Sequence, residues 1–404
     1  MKINPTKTIN QIVPLISYVA DLQSNRGIYH GWRTAIFAAR LAEICNPVEI
    51  KSIFYAALLL DIGGIGLAYH ITHYLIRNDR VSQDALLSHP IIGAQIVSNI
   101  PGLSNCAKII LDHHEWCNGR GYPRAKNSND ITPGAQVTRI SDTLDIALRR
   151  RRCLGLAGLK SKLSKTVNRE YSEKLLQQAF EILRGGNFFK KMIDRGSIPT
   201  LFKEAHAAVG SIRIPARIDA IGGALRVIAE ITDMKHPYTY GHSLRVSRYA
   251  MSIALAMKLE HDQVTKIKWA GLIHDIGKIS VSRKILDKPN KLTGSEYRKV
   301  QEHVKISGIM KLAPSLQEIA PIAAGHHEYF DGSGYPMGTA GMDIPLGARI
   351  ITICDAYDAM TSNRPYRGGI CPKEVCQKIQ KLAGSQFDPE IVKFALPVFR
   401  SLEL

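Results

Sequence analysis

The second half of the chain carries histidines and aspartates of the kinds that bind metal ions. His274 and Asp275 are adjacent at the end of an apolar run with helical spacing, and Lys278 follows four residues after the histidine. Burying these polar groups together costs free energy unless they have partners. Further candidates stand on or beside other segments with helical spacing. They are His242, His303, His326, His327 and Asp355.

These seven candidates exceed what a single ion needs. Imidazoles with carboxylates favour borderline divalent ions such as Fe, Mn, Ni or Zn over Mg or Ca, which prefer oxygen-only shells. Two bridged ions would use the whole set: His242, His274 and Asp355 around one, His303, His326 and His327 around the other, and Asp275 between them. Two metals about 3.5–4 Å apart can activate a bridging water and clamp the oxygens of a phosphoryl displacement. The set therefore predicts metal-dependent hydrolysis of a phosphate ester.

Two roles are possible for Lys278. One helical turn beyond His274, its ammonium could meet a phosphate oxygen of the substrate. Alternatively, it is an exposed lysine that caps a helix C-terminus before a loop.

The pattern of the second half recurs in the first half. The matched positions are His30 with His242, Asp61 with Asp275, His89 with His303, His113–His114 with His326–His327, and Asp142 with Asp355. The matches keep their offset to within two residues, and a Gly-x-Gly-Tyr-Pro stretch follows the paired histidines in both halves. Self-similarity of this kind indicates a tandem duplication.

Length and periodicity predict the architecture. A chain of 404 residues is long for one hydrophobic core and suits two domains of about 200 residues. Apolar residues follow helical spacing throughout, while alternating strand patterns and Asn-Gly hairpin signals are almost absent. We predict an all-α fold of two tandem helical bundles, at residues 1–205 and 218–404, with the boundary where Gly210 and Pro215 interrupt the pattern.

Composition limits the partners. The net charge of +18 favours anionic ligands such as nucleotides, although a protein can be basic without such a ligand. No long basic tract is interleaved with aromatics, so stable binding to a nucleic-acid polymer is not expected. Seven cysteines without a Cys-x-x-Cys pair indicate reduced thiols, and the first residues show neither a secretory signal nor a membrane span. We expect a cytoplasmic protein.

The second copy resembles an HD-GYP domain, a branch of the HD phosphohydrolase superfamily. His274-Asp275 is similar to the pair that names HD, and Gly334-Tyr335-Pro336 to the triplet that names GYP. The likeness runs from about residue 220 to the C-terminus and includes the stretches 285–289 and 364–367. The bundles are accordingly expected to be of HD type.

The resemblance implies hydrolysis of a cyclic dinucleotide, cyclic di-GMP or cyclic GMP-AMP, to a linear product with a 5′-phosphate. It also implies that the seven candidates are metal ligands and that Lys278 contacts the scissile phosphate. The substrate-facing residues it implies are Asp331, Gly334, Tyr335, Pro336, Arg364 and Arg367. Some members hold a third metal through a glutamate four residues before the first histidine. Here that position is Tyr238, so two metals are expected.

The first copy resembles the same domain in a degenerate form. Leu60 stands at the position of His274, and Gly64 at that of Lys278. We predict a non-catalytic partner domain that stabilises, regulates or mediates protein contacts. The alternative is that one ion is still held, through Asp61, His89, His113 and His114.

Two other functions stay open for the whole chain. One is a nucleotidase or phosphatase of the HD superfamily that acts on other substrates. The other is a sensor that binds a cyclic dinucleotide without turnover.

Overall fold

The computed structural model describes residues 4–22, 28–67, 71, 80–149, 155–214, 220–235, 240–363 and 368–401. These residues form α-helices joined by short 3₁₀ segments and loops. Isolated β-bridges occur, but the described part of the chain contains no β-sheet. The prediction of an all-α fold is confirmed.

By its contacts the chain divides into two compact units. The N-terminal unit comprises Val13–Ile218, and the C-terminal unit comprises Met1–Ile12 with Asp219–Leu404. The division falls within the first helix, α1 (Pro5–Asp21).

Nine further helices of the described chain belong to the N-terminal unit. They are α2 (His30–Cys45), α3 (Ile50–Leu58), α4 (Arg80–Ser98), α5 (Cys106–Asp112), α6 (Pro133–Arg149), α7 (Gly155–Ser164), α8 (Glu173–Arg184), α9 (Phe188–Ile193) and α10 (Ile198–Val209). A 3₁₀ turn at Ile62–Gly64 follows α3.

The remaining described helices belong to the C-terminal unit. They are α11 (Ala220–Met234), α12 (His242–Ala256), α13 (His261–Ile273), α14 (Arg283–Leu286), α15 (Gly294–Gly308), α16 (Ala320–Ala324), α17 (Leu346–Thr361), α18 (Pro372–Lys381) and α19 (Pro389–Ser401). A 3₁₀ turn at Ile276–Ser280 follows α13.

Local sequence explains how the helices near His274 and Asp275 begin and pack. α15 starts with a capping box, in which the Thr293 hydroxyl accepts from the N–H of Glu296 and the Glu296 carboxylate accepts from the N–H of Thr293. α12 and α13 approach closely because Gly271 has no side chain, and a Cβ there would lie 2.8 Å from the Cα of Ser247. This close approach packs the end of α13 against α12.

The helices of the C-terminal unit bring the predicted polar side chains together. These residues are His242 at the start of α12, His274 and Asp275 just after α13, His303 in α15, His326 and His327 just after α16, and Asp355 in α17. The apolar faces beneath them are buried, as for Val246 and Ala250 of α12 and Ile273 of α13. The packing of these faces positions the site.

None of the described helices combines the length and the apolar character that a membrane span requires.

A buried lysine predicts an unusual pH dependence of stability. Lys235, directly after α11, has no exposed surface, and burial together with nearby Arg283 lowers its pKa from 10.5 to about 7. The unfolded chain therefore binds more protons than the folded chain between these values, so stability rises with pH in that window. We expect Lys235→Met to stabilise the protein by about 3 kcal/mol at pH 7 and by clearly less at pH 9.

Urea unfolding at both pH values measures this difference. Lys393→Met is the matched control, because its ammonium is 66% exposed and pairs with Glu390 at the surface. An equal gain from Lys235→Met at pH 7 and pH 9 would contradict the prediction.

Candidate active site

One half of the site is formed by two imidazoles that face each other. Nδ1 of His303 donates to the carbonyl of Val300 at 2.5 Å, and Nδ1 of His326 to that of Ala323 at 2.6 Å. Because a carbonyl oxygen only accepts, each Nδ1 carries the proton and each Nε2 presents a lone pair. The two Nε2 atoms lie 3.4 Å apart.

This separation suits one shared cation. Metal–nitrogen bonds of about 2.0–2.1 Å at a tetrahedral angle place two nitrogens about 3.4 Å apart. Oδ1 of Asp275 lies 3.3 Å from Nε2 of His303 and 3.7 Å from Nε2 of His326. His327 completes the group, since its ligand atom and those of the other two histidines lie within 4.8 Å of one another.

The other half of the site surrounds the second oxygen of Asp275. Oδ2 lies 3.4 Å from Nε2 of His274 and 3.6 Å from Nε2 of His242. Nε2 of His242 is in turn 3.3 Å from Oδ1 of Asp355. Both oxygens of one carboxylate thus contact possible metal ligands, on opposite sides of the site.

Two buried atoms indicate that these residues fit metal ions. Among the described side chains, Nε2 of His274 and Oδ1 of Asp275 are buried and take part in no hydrogen bond. Buried polar atoms are normally satisfied, and an unsatisfied one points to a water or an ion. The donor set of imidazole and carboxylate is the one that borderline divalent ions prefer. The clusters could therefore hold metal ions.

Asp358 orients His242 and is a site residue that the sequence analysis missed. Its carboxylate accepts from Nδ1 of His242 at 2.7 Å and from Nε of Arg245 at 2.6 Å. A carboxylate behind a histidine fixes the ring and leaves Nε2 for a metal. The available signal was its position three residues after Asp355 in α17, which places both acids on one helical face.

The protonation states reflect this arrangement. Burial opposes a charge on His242, but its hydrogen bonds to Asp355 and Asp358 raise its pKa to about 10, so a metal ion that binds Nε2 takes the place of a proton. Burial, helped by nearby His303 and Lys278, lowers the pKa of His327 to about 3. Burial also opposes the charge on Asp275, yet Lys278 and His274 hold the pKa of this carboxyl well below its usual range. The carboxylate is therefore ionised and available as a ligand.

Lys278 reaches into the site. Its ammonium, 24% exposed, donates to Oδ2 of Asp275. The structure thus brings the lysine together with the ligand candidates.

The loop after His327 is held against the site by the carboxylate of Glu328 and by backbone hydrogen bonds. The buried carboxylate of Glu328 accepts from the N–H groups of Met337 at 2.7 Å and Thr339 at 3.0 Å. The N–H of Tyr335 donates to the carbonyl of His327 at 3.0 Å, and the two rings stack with centroids 4.8 Å apart. Tyr335 thereby orients His327, and Glu328 is a second residue that the sequence analysis missed.

Other residues predicted to face substrate have different surroundings. The exposed carboxylate of Asp331 accepts from the N–H of Ser333 at 2.9 Å, which is a hydrogen bond within the loop. Gly334 permits a close turn, because a Cβ there would overlap the backbone of Tyr329 and His327, and Pro336 follows it half-buried. Arg364, Arg367 and Tyr238 lie outside the described residues.

Gly277, beside the site, is a position where we expect a larger side chain to disturb metal binding. A Cβ at Gly277 would overlap the carbonyl oxygen of His303, which is backbone and cannot move alone. We expect Gly277→Ala to displace α15 with His303 and to weaken Mn²⁺ binding by about tenfold to a hundredfold, the range typical of altered support for a metal ligand. Isothermal titration with Mn²⁺ measures the change.

Gly294→Ala is the control for this substitution. Gly294 opens α15, has no positive φ, and a Cβ there would meet no atom within 4 Å. Unchanged Mn²⁺ affinity in Gly277→Ala would show that His303 does not depend on this contact.

The N-terminal unit places its matched residues similarly. Nε2 of His30 lies 3.1 Å from Oδ2 of Asp61 and 3.4 Å from Oδ1 of Asp142. Nε2 of His89 lies 3.4 Å from Nε2 of His113, and the ring of His114 stacks on Tyr122. At the position of His274 this unit has the buried apolar side chain of Leu60. The half of the site that contains His30 and Asp142 therefore lacks one ligand here.

The C-terminal unit is all-helical and gathers imidazoles and carboxylates between its helices, as do helical proteins that build metal sites from side chains on facing helices. The HD domain family model matches residues 16–160 and 226–391. The chain belongs to the HD domain family. The predicted membership of the HD superfamily is thus confirmed.

Curated relatives are phosphodiesterases. The chain is 30% identical over 289 residues to 3′3′-cGAMP-specific phosphodiesterase 3 of Vibrio cholerae, covering 69% of this chain and 59% of the relative. It is 28% identical to 3′3′-cGAMP-specific phosphodiesterase 1 of the same organism, covering 86% and 81%. A cyclic di-GMP phosphodiesterase of Thermotoga maritima is 37% identical over 182 residues, covering 44% and 48%. The chain thus spans less than two thirds of the first and third of these relatives.

A solved structure shares the fold. The crystal structure of a cyclic GMP-AMP-specific phosphodiesterase of Vibrio cholerae, V-cGAP3, aligns with a TM-score of 0.68 and 20% identity, over 97% of both chains. At this identity the likeness concerns the fold alone.

Proposed function

We propose that this chain is a metal-dependent phosphodiesterase that hydrolyses a cyclic dinucleotide, cyclic di-GMP or 3′3′-cyclic GMP-AMP, to a linear 5′-phosphorylated dinucleotide. The observation that carries the proposal is the placement of ligand candidates around both oxygens of Asp275, at 3.3–3.7 Å from four imidazole nitrogens. The names of the relatives support the substrate class.

Two divalent ions, with Fe, Mn or Ni preferred, would be held by residues of the C-terminal unit. The ligands would be His242, His274 and Asp355 for one, His303, His326 and His327 for the other, and Asp275 for both. Such a pair of ions, when bound, supplies an activated water and a clamp for the phosphate oxygens.

The chain's own residues position the ligands and supply charge. Lys278 provides a positive charge for a phosphate oxygen, where preorganised charge lowers the barrier most. Asp358 fixes the ring of His242, and Tyr335 fixes that of His327. These contacts hold the site in one geometry before substrate arrives.

Substrate contacts come from the loop beside the cluster and from the stretch that follows α17. The loop residues would be Asp331, Gly334, Tyr335 and Pro336, and the cationic residues Arg364 and Arg367. Guanidinium groups meet phosphates or guanine edges bidentately.

We further propose that the catalytic domain is formed by residues 218–404. Residues 1–205 would form a non-catalytic domain that arose by tandem duplication and regulates the chain or mediates protein contacts. Support comes from Leu60 and Gly64, which replace an imidazole ligand and the phosphate-facing ammonium.

A direct assay tests the proposed reaction. The full chain, loaded with Mn²⁺ or Fe²⁺, is incubated with cyclic di-GMP and with 3′3′-cyclic GMP-AMP, and products are separated by chromatography. We expect a linear dinucleotide with a 5′-phosphate from at least one substrate. Faster turnover of mononucleotides or simple phosphate esters would favour the nucleotidase alternative. Tight binding without any product would favour the sensor.

A further inference from the structure

The N-terminal unit contains buried histidines that the proposed reaction does not use. One ring nitrogen of each of His89, His113 and His114 lies within 4.8 Å of those of the other two. All three side chains are buried, with 0%, 0% and 5% exposure. Buried polar side chains are normally satisfied by hydrogen bonds, ordered water or an ion.

The hydrogen bonds of two of these rings fix where their lone pairs point. Nδ1 of His89 lies 2.8 Å from the carbonyl oxygen of Leu86, and Nδ1 of His113 lies 2.5 Å from that of Ile110. A carbonyl oxygen only accepts, so both Nδ1 atoms carry the proton. The Nε2 lone pairs therefore face each other at 3.4 Å.

A cation between the two rings explains this distance. At 3.4 Å the nitrogens are farther apart than the 2.7–3.2 Å of an ordinary protein hydrogen bond. The same distance is about that of two nitrogens bound to one ion at about 2.0–2.1 Å with a tetrahedral angle. The corresponding pair in the C-terminal unit, His303 and His326, has the same separation.

Asp61 supplies a third ligand and an approach for the ion. Its Oδ1 lies 3.7 Å from Nε2 of His89, and its side chain is 16% exposed although the histidines are buried. A cavity of about 30 Å³ is lined by this aspartate, with Leu60 and Ile65. An ion that arrives from solvent therefore meets the partly exposed carboxylate of Asp61 first.

Arg139 limits this unit to one ion. Its guanidinium donates to Nδ1 of His114 at 2.9 Å and lies 3.5 Å from Oδ2 of Asp142. A positive charge beside Asp142 disfavours a second cation there. Because Nδ1 of His114 accepts this bond, Nε2 of the neutral ring carries the proton and is not a ligand.

We propose that the N-terminal unit binds one divalent ion of the Mn-to-Zn series through Asp61, His89 and His113, with water at its remaining positions. Two imidazoles and a carboxylate suit these ions. The site is separate from the proposed active site, since all three ligands belong to the N-terminal unit.

Cobalt binding to the full chain tests the proposal. The background variant carries Asp275→Asn and His326→Gln, which disable the C-terminal cluster. After removal of metal with a chelator, the chain is equilibrated with Co²⁺, and bound cobalt is measured by mass spectrometry and by its visible absorption. We expect about one ion per chain, and a loss of at least about tenfold in affinity when His113→Gln is added.

A matched control and two further variants keep the test decisive. His206→Gln changes another imidazole of the same unit, which bonds the hydroxyl of Tyr55 and is distant in sequence from the cluster, and it should retain the ion. His89→Gln and the partly exposed Asp61→Asn should each lose it, with the helical signal and melting temperature checked by circular dichroism. A folded background variant that binds no cobalt, or retention of the ion in folded His113→Gln, His89→Gln and Asp61→Asn, would overturn the proposal.

Discussion

Asp275→Asn is expected to lower kcat/KM for cyclic dinucleotide hydrolysis by at least about a thousandfold, which corresponds to about 4 kcal/mol of transition-state stabilisation. Oδ1 of this carboxylate lies near His303, and Oδ2 lies near His242. Asparagine keeps the shape but has only one acceptor atom, and its amide N–H groups would point donors at one of the two proposed ion positions. The variant should therefore also bind fewer ions per chain.

Asp262→Asn is the control, because this carboxylate pairs with Lys266 at the surface of the same unit. Turnover and metal content are measured on both variants after loading with Mn²⁺, together with their melting temperatures. An Asp275→Asn variant that keeps two ions and full turnover would contradict the role of this carboxylate as the bridging ligand.

The clustering of the ligand candidates in the C-terminal unit could be predicted because it follows from their positions relative to the apolar helical faces. Each ligand candidate follows or interrupts an apolar helical face, and the packing of those faces determines where the polar side chains point. His274 and Asp275 illustrate this, since they come directly after α13, whose Ile273 is fully buried. Membership of the HD family follows from the same residues.

The supporting contacts could be predicted less well, because they depend on side-chain direction. Asp358 is on the same helical face as Asp355 but binds the far nitrogen of His242, a choice that spacing alone does not make. Arg139 contacts Asp142, which lies three residues further along α6, and also His114 in another segment, a contact that helical spacing does not predict. The carboxylate of Asp331 accepts from the N–H of Ser333 within its own loop, a contact that the sequence analysis did not predict.

Lys278→Met is expected to reduce kcat by about a hundredfold to a thousandfold, as when a donor to a developing negative charge is removed. The same substitution should strengthen Mn²⁺ binding to the metal-free protein. In the structure the ammonium donates a hydrogen bond to Oδ2 of Asp275, so it competes with a metal ion for that oxygen. Turnover and Mn²⁺ affinity are thus expected to change in opposite directions.

Steady-state kinetics at saturating Mn²⁺ and isothermal titration of the metal-free protein measure the two effects. Lys288→Met is the matched control, since its ammonium is 28% exposed and pairs with Glu296, and it should alter neither. Lys278→Arg should retain part of the activity because the positive charge remains. A capping lysine at the end of α13 would instead cost a few tenths of a kcal/mol of stability and leave kcat unchanged. Parallel losses of kcat and Mn²⁺ affinity would mean that Lys278 assembles the metal site and does not act on the phosphate.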